Sequence, residues 1–290
     1  MSNQNDLNEG RLLVKCLDQP GIVSALSTFL FQNDANILES TQHSSEDEHH
    51  MFFIRITFYR NNLLENKDQM EEQFKALAAS FSMDYRFTYK AEKKKSAIYV
   101  SKEIHCLLEL LWEWRSGDLD TSIELVISNH ETAREVVESF GIPFFYIPAS
   151  KENRQEVENE QIKLMKQYNI DLLILARYMQ ILTPDFVAHF PNRIINIHHS
   201  FLPAFIGARP YERAYDRGVK LIGATSHYVT NDLDEGPIIE QDIERVDHRD
   251  NIRSLKKIGQ KVERQVLAKA VKWHLEDRII VKENKTIVFH

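Results

Sequence analysis

Five short apolar runs dominate the second part of the chain: SAIYV (96–100), IELVIS (123–128), PFFYIP (143–148), IDLLILA (170–176) and RIINIH (193–198). Segments of helical length separate them, including a leucine-rich stretch after Val100, HETAREVVESFG, and a charged stretch that runs to Tyr168. A strand that is apolar along its whole length must be covered on both faces, and strands joined through helices run parallel. These residues predict an open, mostly parallel α/β sheet with helices on both sides. LIGATSHYV and PIIEQDIERV then alternate like paired antiparallel strands. Residues 251–275 place Leu255, Ile258, Val262 and Val266 on one helical stripe. The tail RIIVKENKTIVFH reads as a hairpin turning at Glu283–Asn284.

The first part of the chain has a shorter rhythm. RLLVKCL (11–17) predicts a strand, and DQPG (18–21) a turn into a helix. Ile22, Leu26, Phe29 and Leu30 recur at helical spacing, as do Met70, Phe74, Leu77 and Phe81. ANILESTQ and MFFIRITFY read as strands on either side of the polar HSSEDEHH, and MDYRFTYK as a fourth. The order is βαββαβ, a ferredoxin-like split unit. With DQPGIVSALSTFL, ANI and FFIRITF in these positions, the unit resembles an ACT domain. That resemblance implies binding of a small amino acid, such as glycine or methionine, at Asp18, Gly21, Asn36 and Ile37, and pairing of copies into a homo-oligomer. The charge run in YKAEKKKSAIYV marks the seam. The expected organisation is an ACT-like domain at 9–88, a linker at 89–95 and a catalytic domain at 96–290.

The formal net charge of −7 argues against a nucleic-acid partner, which requires a concentrated basic surface. Lys93, Lys94 and Lys95 form the only basic cluster, and it is short. No apolar run reaches membrane-spanning length, and the polar start MSNQNDLNEG lacks the apolar core of a signal peptide. Cys16 and Cys106 form no C-x-x-C pair and suit a reducing compartment. The expectation is a cytoplasmic protein without a membrane partner. His43, His49 and His50 could bind a metal, but a solvated hairpin is much the simpler explanation, and no metal site is expected.

Ligands of open α/β sheets bind beyond the carboxyl ends of the strands. There the chain carries INIHHSFLPAFIGARPY (195–211). Residues two apart on a strand share a face, so Asn196 and His198 project together. An amide can donate to a developing oxyanion, and an imidazole can move a proton near neutral pH. A hydrogen-bonded loop corner is the competing explanation. GATSHYVTNDLDEGPII (223–239) adds His227 and the carboxylates Asp232, Asp234 and Glu235. A carboxylate beside an imidazole can fix its tautomer, although spacing does not say which acid does so. If the strand persists, His199 faces away from His198, which leaves it open between a structural hydrogen-bonder and a site residue; Arg209 suits either an anion or a surface ion pair.

NIHHSFLP, GATSHYV and LDEGPII occur in this order, with RYMQIL (177–182) upstream. Together they resemble the folate-dependent formyltransferase family across residues 96–290. The resemblance implies Asn196, His198 and Asp234 as the catalytic trio. It implies that the backbone of Met179, Gln180, Ile181 and Leu182 cradles a pterin, with His227 supporting the site. With the ACT-like front, the chain resembles the hydrolytic branch of that family. The implied reaction converts 10-formyltetrahydrofolate and water to tetrahydrofolate and formate, without a cofactor, supplying formate for purine synthesis and balancing the one-carbon folate pool. Two other readings stay open: transfer of the formyl group to an amine acceptor, and a non-catalytic folate and amino-acid sensor. The first predicted strand of this region leads into VSKEIHCLLELL, with no glycine between Gly21 and Gly117. A phosphate-bearing acceptor would be held most simply by a glycine-rich loop there, so its absence favours water.

Overall fold

A computed structural model describes residues 6–46, 50–150, 152–203 and 210–290. Arg209 and Gly207 of the proline-marked loop lie outside them, as does His49. The described chain forms two compact units.

The first unit holds β1 (Glu9–Leu17), α1 (Ile22–Gln32), β2 (Asn36–Ser44), β3 (Met51–Tyr59), α2 (Leu63–Ser80) and β4 (Asp84–Tyr89). Its sheet has the order β2-β3-β1-β4, so the expected βαββαβ arrangement is present. The predicted stripe Ile22, Leu26, Phe29 and Leu30 is buried against Met70 and Phe74. Phe29 and Phe74 meet edge to face with centroids 4.9 Å apart. Leu77 and Phe81 are only partly buried, because α2 ends at Ser80 and Phe81 is its C-terminal cap.

The second unit begins at β5 (Lys94–Val100) and continues through α3 (His105–Ser116), β6 (Thr121–Ser128), α4 (Arg134–Ser139), β7 (Phe144–Tyr146), α5 (Arg154–Gln167), β8 (Leu172–Ala176), α6 (Pro184–Ala188), β9 (Ile194–His198), α7 (Pro210–Arg217), β10 (Leu221–Tyr228), β11 (Ile238–Arg245) and α8 (Ile252–Leu275). Strand order is β11-β10-β9-β8-β5-β6-β7. The five strands from β9 to β7 are parallel, and β10 and β11 join antiparallel. From β5 the chain first builds outward to β7, then returns to the other side of β5 to add β8 and β9. Such a reversal leaves a crevice at the carboxyl ends of the adjoining strands, β5 and β8. Helix α8 starts at Asn251, whose side chain accepts from the Ser254 N–H at 3.0 Å. Leu255, Val262 and Val266 of its predicted stripe are buried, and Ile258 is partly so.

The tail forms β12 (Ile279–Lys282) and β13 (Lys285–Val288), turning at the predicted place. The whole tail was expected to belong to the catalytic domain. By contacts, however, residues 277–280 and 287–290 group with the first unit and 281–286 with the second. Asp277 gives one reason. Its carboxylate is 1% exposed, pairs with Arg11 at 3.2 Å and Arg86 at 3.1 Å, and accepts from Thr88 at 2.9 Å. Its carbonyl accepts from Arg55 at 3.0 Å. Ile280 and Phe289 add apolar packing on Leu13 and Phe53. Among the described residues no helix is long and apolar enough to cross a membrane.

Candidate active site

A cavity of about 620 Å³ opens at the carboxyl ends of β8 and β9. It is lined by Asn196, His198, His227 and Asp234, and by Met179, Gln180, Ile181 and Leu182. The residues expected to form one site are therefore brought together, from four separate stretches of chain.

Strand pairing explains the arrangement. In β9, Asn196 lies opposite Leu175 of β8 and opposite His227 of β10. The pairing of β10 with β11 shifts register between Ser226 and His227. Such a bulge re-aims the side chain that follows it. His227 Nδ1 lies 2.9 Å from the Tyr228 carbonyl, so this nitrogen carries the proton and Nε2 is left as an acceptor. Asn196 Nδ2 lies 3.2 Å from His227 Nε2 and donates to it. This bond fixes the amide with its nitrogen toward His227 and leaves its second N–H free to donate.

Asp234 has φ +58, a left-handed conformation that a short polar side chain tolerates. It sits two residues before Gly236, where the chain passes directly over β10. Its Oδ2 lies 3.1 Å from His198 Nδ1, and its Oδ1 3.7 Å from His227 Nε2. Of the three clustered acids, Asp234 is thus the one that reaches His198. Burial by itself would raise the Asp234 carboxyl. The hydrogen bond from His198 leads the effects that outweigh it and hold the group well below its usual range. With Nδ1–H directed at Asp234, His198 presents Nε2, which is buried and has no hydrogen-bond partner among the described residues.

The 177–183 segment is held from outside the cavity. The Met179 N–H donates to Ser101 Oγ at 3.0 Å, and Ser101 donates to Asn129 at 2.7 Å. Arg154 donates to the Ile181 carbonyl, and buried Glu158 accepts from the Thr183 N–H at 2.9 Å. Met179 and Ile181 are each 58% exposed. A pinned loop that shows two large apolar side chains beside polar groups suits a flat, partly polar ring. The proposed effector residues belong to the first unit and are all exposed. Asp18 donates its N–H to the His50 carbonyl at 2.7 Å, and Gly21 caps α1 at φ +96. Asn36 and Ile37 open the edge strand β2 opposite Tyr59 and Phe58.

The end of β9 decides where His199 points. Strand alternation would turn it away, but β9 stops at His198, and both rings line the cavity with centroids 5.3 Å apart. Burial, then the Arg177 charge, pushes His199 down from 6.5 to about 4. The unfolded chain therefore takes up this proton at a higher pH than the native one does. The resulting stability is fully present above pH 6.5 and is lost as the pH falls toward 4. Urea titrations should show wild type losing on the order of 2 kcal/mol more over this interval than His199→Gln. Parallel pH profiles would contradict the assignment.

One cluster was missed from sequence. Glu263 is 1% exposed and bonds His105 at 2.8 Å and Tyr211 at 2.6 Å, with Arg177 Nε at 3.4 Å. With Cys106 it has the proximity of a metal-ligand group. The guanidinium beside it already supplies positive charge, and burial pushes the Cys106 thiol well up, away from the thiolate a metal needs. The donor set therefore reads as an ion-pair network. Its sequence signal was a glutamate on an otherwise apolar helical stripe.

Comparison with known proteins agrees with this architecture. Residues 94–271 match the formyl transferase family, and residues 10–72 match the ACT domain. A formyltetrahydrofolate deformylase of Bacillus subtilis is 64% identical over 98% of this chain and 94% of its own length. The crystal structure of a formyltetrahydrofolate deformylase from Pseudomonas syringae pv. tomato superposes with TM-score 0.94 at 44% identity, covering 98% of this chain and 95% of that one. Glycinamide ribonucleotide transformylase 1 of Symbiobacterium toebii superposes with TM-score 0.66 at 28% identity, covering 70% of this chain and 97% of its own. With both units matched and nearly the full length shared, this chain belongs to the formyltetrahydrofolate deformylase family.

Proposed function

We propose that this protein hydrolyses 10-formyltetrahydrofolate to tetrahydrofolate and formate. The observation that carries the reading is the Asp234–His198 pair, whose free Nε2 shares a cavity with the Asn196 amide oriented by His227. The pterin rests on the 179–182 segment. Asn196 donates its free N–H to the formyl oxygen as water adds to the carbon, and His198 Nε2 helps to stabilise that oxyanion once it has taken up the proton of the water. Asp234 keeps the negative charge that orients His198 and accepts positive charge building on it. The added water loses a proton to this pair. His198 Nε2 delivers a proton to N10 as the carbon–nitrogen bond breaks, and formate leaves with the remaining proton released to solvent. Oxyanion donors and a proton relay suffice for these steps, so no cofactor is required. The formate so released supplies purine synthesis and balances the one-carbon folate pool.

Water is favoured over a phosphate-bearing amine by what stands between β5 and α3. No glycine-rich turn is present, and Glu103 lines the cavity there, accepting from Gln260 at 3.1 Å. A carboxylate repels the anion such an acceptor would bring. The test is turnover without any amine: tetrahydrofolate and formate should appear in equal amounts. Formyl release only when an amine is supplied would reverse the assignment.

The ACT domain supports regulation by a small amino acid at Asp18, Gly21, Asn36 and Ile37 in a homo-oligomer. Glycine or methionine should change the rate at fixed folate. Indistinguishable kinetics across a panel of amino acids would remove this part of the reading.

A further inference from the structure

Arg177 has φ +64, a conformation in which glycine is cheap and a long side chain is strained. It follows β8 at the level of His198, because Leu175 pairs with Asn196 two residues earlier on each strand. Its side chain is 12% exposed and lines the cavity. It reaches Glu263, which is fixed in turn by His105 and Tyr211. Tyr211 is seated closely, for a Cβ at Gly259 would run into its ring. Arg177 Nε and Nη1 are both buried and have no hydrogen-bond partner among the described residues. A strained, buried arginine that lines the cavity with the reacting groups is not explained by the ion pair alone.

We infer that Arg177 is the residue that selects water as the nucleophile, by filling the space beside His198 that the body of an amine would need. The inference rests on the hydrolytic reading above. The block is built from four elements: Arg177 after β8, His105 on α3, Tyr211 on α7 and Glu263 on α8. Opened by a smaller residue, the same space admits a small primary amine. The amine nitrogen then adds to the formyl carbon, the carbon–N10 bond breaks, the proton of the amine passes through the His198 pair to N10, and an N-formyl amide leaves in place of formate.

The test compares wild type with Arg177→Gly and Arg177→Asn, both compatible with the left-handed backbone. Each full-length protein is given 10-formyltetrahydrofolate carrying ¹³C in the formyl group and increasing glycinamide, and the products are separated by NMR. Wild type should give formate at every glycinamide concentration. In the variants the ratio of N-formylglycinamide to formate should rise linearly with glycinamide and exceed wild type at least ten-fold. This ratio does not depend on how much enzyme remains active, so a purely structural loss leaves it unmoved. Formate alone from either folded variant at saturating glycinamide would overturn the role of Arg177. Failure of wild type to release formate would instead overturn the hydrolytic reading.

Discussion

Asp234→Asn should lower formate release by about 10³–10⁴-fold, with the folate affinity changed little. The substitution keeps the shape of the side chain and removes its charge. Asp234 Oδ2 lies 3.1 Å from His198 Nδ1, a distance at which a carboxylate accepts the Nδ1–H and fixes the tautomer. An asparagine can present its NH₂ to the same nitrogen, which stabilises the opposite tautomer and turns Nε2–H toward the substrate in the resting state. The positive charge that develops on His198 then has no counter-ion. Asn196→Ala removes one oxyanion donor and should cost less, about 10²–10³-fold. Measuring kcat and KM separately for both variants checks the assignment, since each interaction is stronger in the transition state than in the ground state. A loss confined to KM would mean that the two residues merely hold the folate.

The second large effect is expected at Gly236. A Cβ there would approach the Tyr228 carbonyl oxygen far closer than the 3.0 Å limit that real side chains respect, with backbone on the other side of the clash. Backbone cannot swing away as the end of a side chain can. Residues 234–237 must therefore lift from β10, against the Tyr228 N–H bond to the Pro237 carbonyl at 2.9 Å. Gly236→Ala should destabilise the protein by about 1–3 kcal/mol, the usual penalty for overpacking. It should also carry Asp234 off His198. A displacement near 1 Å at a reacting group costs about 10²-fold in rate. Thermal unfolding and turnover, measured on the same preparation, separate the two effects. Full activity with unaltered stability would show that the 234–237 turn is not held against β10.

The sheet of the second unit was legible because five strands buried on both faces leave continuous apolar runs. The site was legible in part. Asn196 and His198 follow from strand alternation, while spacing did not single out Asp234 among three nearby acids and only the family resemblance implied it. His199 stayed open in the sequence because its direction depends on whether β9 runs past His198, and the strand ends there. Arg177 gave no sequence signal: its conformation is set by the loop, and its partner Glu263 lies on a distant helix. The split of the C-terminal hairpin was hidden for a similar reason, since Asp277 binds arginines more than 190 positions before it.

The central claim is that water, guided by Asn196, His198 and Asp234, attacks the formyl carbon. A single turnover in ¹⁸O-labelled water, with enzyme in excess over 10-formyltetrahydrofolate and no amine present, tests it most directly. The account predicts one equivalent of formate carrying one labelled oxygen. Unlabelled formate, its second oxygen drawn from a carboxylate of the protein, or no formate at all would contradict it.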